Sequence, residues 1–97
     1  MFIKTYHYRI LQENYPQWKE LSAKSDEIYQ EIADVHITHE VKASGKEMVI
    51  TEKVYYMSKE QADSMELEAG NHPDARGLTK EFTKILRGKI ITEEAQI

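Results

Sequence analysis

Stretches of alternating polarity and stretches of helical period succeed one another along the chain. Phe2 to Leu11 is rich in β-branched and aromatic residues and reads as a strand, with Phe2, Lys4, Tyr6, Tyr8 and Ile10 on one face and Ile3, Thr5, His7, Arg9 and Leu11 on the other. Asn14 opens a helix in the manner of a capping box, with Gln17 three residues on and Pro16 tolerated in the first turn. Trp18, Leu21, Ser25, Ile28, Tyr29 and Ile32 form one stripe, and Lys19, Glu20, Lys24, Asp26, Glu27 and Glu31 occupy other positions, many of them expected to be solvated. Val35 to Ala43 alternates strictly: Val35, Ile37, His39, Val41 and Ala43 face one way, His36, Thr38, Glu40 and Lys42 the other. Ser44-Gly45-Lys46 turns the chain into a partner strand, Met48 to Met57, whose faces are Met48, Ile50, Glu52, Val54 and Tyr56 against Val49, Thr51, Lys53, Tyr55 and Met57.

Ser58, with Gln61 three residues later, caps a second helical region. Gly70-Asn71-His72-Pro73 interrupts it, because Pro73 disfavours helix at His72. Helix resumes near Asp74, presents Leu78, Phe82, Ile85 and Leu86, and stops by Gly88. Lys89 to Ile97 reads as a last strand. The order β-α-β-β-α-β is the ferredoxin-like, split β-α-β arrangement, an α+β domain with an antiparallel sheet and two helices on one face. The 97 residues suit a single domain spanning 1–97.

Composition removes several function classes. A formal charge of −4 and the absence of a basic cluster argue against nucleic acid as partner. The chain has no cysteine, which excludes a disulfide framework, a thiolate metal site and a cysteine nucleophile. Met1 to Tyr6 lacks the basic head and apolar core of a signal peptide, and no apolar run approaches a membrane span. A cytoplasmic location and no membrane partner are the expectation.

The length, the element order and the pattern Tyr56-Met57-Ser58-Lys59 entering an interrupted helix that ends Phe82 to Leu86 resemble the dimeric α/β-barrel superfamily, in its antibiotic biosynthesis monooxygenase-like branch. The resemblance implies a homodimer with sheets face to face, which fits a second sheet face that is not cleanly polar. It also implies a cavity between sheet and helices for a small organic ligand, and chemistry without a cofactor. Haem-degrading members of that branch are similar to one another in an Asn on the first strand and a Trp and a His in the second helical region. Here His7 stands at the comparable first-strand position, the single tryptophan is Trp18 on the first helix, and His72 lacks a tryptophan companion.

His7 with Arg9 is the first candidate for proton abstraction and charge stabilisation, because an imidazole beside a guanidinium can accept the proton of an enolic ligand and hold the resulting charge. His72, in a loop that can border a cavity, is the alternative. Tyr6, Trp18, His39, Tyr56 and Phe82 are candidates to line a flat ligand's pocket, with plain core packing as the other use of such aromatics. His36-x-x-His39 has metal-like spacing, but on a strand its members point apart, so no metal is expected. Two function classes stay open: a small cofactor-free monooxygenase, and a non-catalytic ligand-binding or stress-related dimer.

Overall fold

A computed structural model describes all residues, 1–97. Strand β1 (Phe2–Leu11) leads through a single 3-10 turn, Gln12–Asn14, into α1 (Tyr15–Ile32). A hairpin of β2 (His36–Ser44) and β3 (Glu47–Tyr56) follows, then α2 (Lys59–Gly70), α3 (Ala75–Ile85) and β4 (Ile91–Gln96). The sheet order is β2-β3-β1-β4, and every neighbouring pair is antiparallel. This is the expected split β-α-β arrangement, except that the interruption at Gly70–Pro73 divides the second helical region into two separate helices. No helix is long and apolar enough to cross a membrane.

The second capping box forms. Ser58 Oγ accepts the Gln61 N–H at 3.1 Å, and Gln61 Oε1 accepts the Met57 N–H at 2.7 Å. The first does not, because Asn14 closes the 3-10 turn with φ −93° and ψ 4°, outside the extended backbone an N-cap needs, and its side chain caps nothing. Gly45 takes φ +61° at the first position of a two-residue hairpin turn, where glycine avoids the Cβ clash. The register follows from that turn: His39 lies opposite Glu52, and Tyr6 lies opposite Glu52 on the other side.

All three helices cover one face of the sheet, and the apolar core on that face falls into two clusters. One joins Phe2, Val35, Val54 and Tyr56 to Ala62 and Met65 of α2. The other joins Tyr8, Ile10 and Ile50 to Trp18 and Leu21 of α1 and Ile85 of α3. Between them the ladder runs Tyr6, Glu52, His39, one residue from each of three strands and all on the helix side. A single row of polar and titratable groups thus divides the core.

Candidate functional site

Tyr6 and Glu52 of that row form part of the floor of a cavity of about 270 Å³ between sheet and helices. Tyr6, Tyr8 and Glu52 rise from the strands, Leu21, Ser22, Ser25 and Tyr29 line it from α1, and Leu78, Thr79, Phe82 and Thr83 from α3, with Leu86 and Ile90 beyond. The walls are mostly apolar and aromatic with a few converging polar groups, the usual make-up of a small-molecule site. Tyr8 and Phe82 meet edge to face with ring centres 5.1 Å apart. A second cavity of about 200 Å³ adjoins it across Ser25, Tyr29, Leu78 and Thr79 and reaches Glu66.

Glu52 is the carboxylate in the first cavity, and its surroundings set its chemistry. His39 Nε2 lies 2.9 Å from Asp26 Oδ2 and 3.3 Å from Ser22 Oγ, both within hydrogen-bonding reach, whereas its Nδ1 lies 3.3 Å from Glu52 Oε1 at ion-pair distance without a formed hydrogen bond. Ser22 is the one buried residue outside the hydrophobic core set. The hydrogen bond to Asp26 and the two carboxylate charges raise the His39 pKa against the lowering effect of burial. Burial raises Glu52 to about 7, with His39 opposing that rise and Asp26 adding to it. Trp18 packs edge-on against the imidazole at 5.6 Å, and its indole N–H donates to Tyr8 Oη at 2.8 Å. On the far side of the row, Tyr6 Oη donates to Glu66 Oε1 at 3.1 Å, and Lys4 pairs with the same carboxylate. Burial pushes the Tyr6 and Tyr8 hydroxyls well above the usual phenol range and Tyr29 up to about 12, so all three remain protonated donors near neutral pH.

The ligand-type atoms of Asp26, His39 and Glu52 lie within 4.8 Å of one another, close enough to suggest a metal. The two carboxylates, however, face different ring nitrogens. That arrangement suits a protonated imidazole between two carboxylates, whereas three-point chelation of one ion needs the donors to converge on a single centre. His36 points to the opposite face of β2, against Tyr55, as the strand period requires.

The expected site residues are dispersed. Tyr6 and Phe82 line the cavity, and His39 stands directly behind Glu52. Trp18 braces His39 from within the core, while Tyr56 belongs to the other apolar cluster, buried, with its hydroxyl unpartnered. His7 and Arg9 do not reach the cavity. They alternate with Tyr6 and Tyr8 along β1 and so stand on the outer sheet face, His7 between Thr51 Oγ1 at 3.3 Å and Glu93 Oε1 at 3.4 Å, Arg9 at 3.4 Å from Glu47. His72 borders a different, mostly charged groove of about 630 Å³, where its Nδ1 accepts the Asp74 N–H and its Nε2 lies 3.2 Å from Glu31. Glu52 and Asp26 carry the site's charge and were not among the expected residues. The signal for Glu52 was a lone carboxylate on an otherwise apolar strand face.

No protein-family model matches this chain, and no curated protein matches it. Solved structures do. A NIPSNAP domain protein from Burkholderia xenovorans superposes with a TM-score of 0.76 at 14% identity, covering 100% of this chain and 94% of that one. SnoaB, a cofactor-independent oxygenase from Streptomyces nogalater, gives 0.72 at 5% identity, covering 99% and 92%. A proposed antibiotic biosynthesis monooxygenase from Nitrosomonas europaea gives 0.66 at 8% identity, covering 97% and 86%. The chain therefore has the ferredoxin-like fold that these structures share. At these identities the likeness establishes fold, and function rests on the site.

Proposed function

We propose that this protein binds a small planar hydroxylated organic molecule in the cavity between sheet and helices and promotes its oxidation by dioxygen without a cofactor. The observation that carries this reading is Glu52: a carboxylate titrating near neutrality, lining an aromatic-walled cavity and paired with an imidazole. A general base works best when its pKa lies near the working pH. Glu52 accepts the ligand's hydroxyl or enol proton. The electron-rich anion passes one electron to dioxygen, the two radicals join in a carbon–oxygen bond, the resulting peroxide anion takes the proton back from Glu52, and the hydroperoxide loses water to leave a quinone. For an anthrone the sum is one dioxygen consumed, one carbonyl gained and one water released. His39, held by Asp26, is the positioning residue that stabilises the ionised form of Glu52. The solved likeness to SnoaB supports the same reading at the level of fold.

Two copies are proposed to pair through their outer sheet faces. Ile3, Val49, Tyr55, Ile91 and Ala95 supply apolar surface there, and Ile91 is 61% exposed in the single chain. The apolar surface gives a reason to associate, and a two-fold pairing is self-complementary.

The test is oxygen uptake during aerobic incubation with hydroquinones and anthrones, comparing the unaltered protein with Glu52→Gln. Loss of about 10²–10⁴-fold in rate is expected for removal of the base. Binding without uptake across the panel would make the protein a non-catalytic ligand-binding module instead.

A further inference from the structure

The walls of the cavity carry a charge pattern that narrows what can enter it. No Lys, Arg or His side chain lines either the first cavity or its neighbour, whereas Glu52 lines the first and Glu66 the second. The cations that contact the two lining carboxylates are already matched. Lys4 pairs with Glu66 and stands 3.6 Å from Glu94, and both nitrogens of His39 face carboxylates. The other polar groups at the walls are hydroxyls, those of Ser25, Tyr29, Thr79 and Thr83 among them. A carboxylate or phosphate carried into such a space would lose part of its hydration, gain no lining cation and meet Glu52, and an ion desolvated without a partner is costly.

We infer that the ligand is uncharged as it enters, a hydroxyarene or enol without any carboxylate, sulfonate or phosphate substituent, and that the cavity rejects the anionic analogue of the same shape. This rests on the reading of the cavity as the ligand site and adds a charge rule to it. Recognition then comes from aromatic packing and from the hydroxyl groups, and the single ionisable position of the ligand is the one presented to Glu52. Release follows the same rule, since an uncharged quinone has no ionic contact to break.

The experiment is calorimetric titration of the whole protein at about pH 7.5 with 2-naphthol and with 6-hydroxy-2-naphthoate, which share a ring system and differ in charge. The naphthol is expected to bind at least about tenfold more tightly. Thr79→Lys places a cation at the junction of the two cavities, on an exposed position that tolerates a long side chain, and is expected to narrow or reverse the preference. Glu52→Gln removes the repelling carboxylate and is expected to narrow it too, so the rule can be tested even where one variant folds poorly. Equal affinity for both probes, or tighter binding of the carboxylate by the unaltered protein, overturns the charge rule and leaves the ligand site standing. Failure of both probes to bind overturns the ligand site and the charge rule with it.

Discussion

His39 and Glu52 face each other across the β2–β3 ladder, with Nδ1 3.3 Å from Oε1, and together they interrupt the otherwise apolar helix-side face of that hairpin. Both groups hold a proton more firmly in the folded chain than in the unfolded one, and the stability of the protein follows from that.

For Glu52, the folded pKa of about 7 exceeds the ordinary carboxylate value of 4.5. The folded state therefore binds more protons between those values, and stability falls as pH rises through the interval. For His39, also raised, the contribution is complete below 6.5 and is lost as pH climbs through the higher folded value. The two effects have the same sign. The melting temperature is expected to fall as pH rises from about 4.5 through 7, and further as His39 loses its proton above 6.5, with on the order of 1–3 kcal/mol involved for Glu52. Glu52→Gln should flatten that fall, as thermal unfolding followed by circular dichroism would register.

Activity should move the opposite way. Glu52 accepts a proton only when ionised, so oxygen uptake is expected to rise with pH through about 7. Asp26→Asn removes the carboxylate that holds His39 protonated, and should displace the midpoint of the profile while leaving ligand affinity largely intact. A profile that loses amplitude without shifting would mean that Asp26 acts only on the fold.

Two core tyrosines should respond differently to loss of a hydroxyl or its partner. Tyr56 Oη is buried without a hydrogen-bond partner, so Tyr56→Phe is expected to leave stability unchanged or raise it slightly. Trp18→Phe strips Tyr8 Oη of its 2.8 Å donor and opens space beside His39, and should cost about 1–3 kcal/mol. Urea unfolding of both variants would separate the two cases.

The outer sheet face makes its own prediction. His7→Ala is expected to leave ligand affinity unchanged, because His7 stands across the sheet from the cavity. Ile91→Glu on the same face should weaken self-association, with sedimentation equilibrium moving from a dimer toward a monomer at micromolar concentration. A monomer in the unaltered protein would refute the pairing.

The element order was legible because it depends on local signals: the alternation of Val35 to Ala43, the stripe from Trp18 to Ile32, and the break at Gly70–Pro73. The site was only partly legible because it depends on register. Strand alternation assigns Tyr6 and His7 to opposite faces, yet does not say which face the helices cover, and both faces of β1 carry apolar and polar residues alike. His39 stood out as a lone imidazole among Val35, Ile37 and Val41, and Glu52 as a lone carboxylate beside Ile50 and Val54. Their meeting follows from the two-residue turn at Gly45–Lys46, where a shift of one residue would have separated them. Asp26 lay hidden among the charged residues of α1, since nothing in a helical pattern distinguishes a solvated carboxylate from one directed at a distant strand.

The most direct measurement is a crystal structure of the protein with 2-naphthol. The ring is expected between Tyr29 and Phe82, with its hydroxyl within hydrogen-bond distance, about 3 Å, of a Glu52 carboxylate oxygen. A naphthol lodged on the outer sheet face against His7 and Arg9, or in the groove beside His72, with the cavity above Glu52 left unchanged, would contradict the assignment of the site.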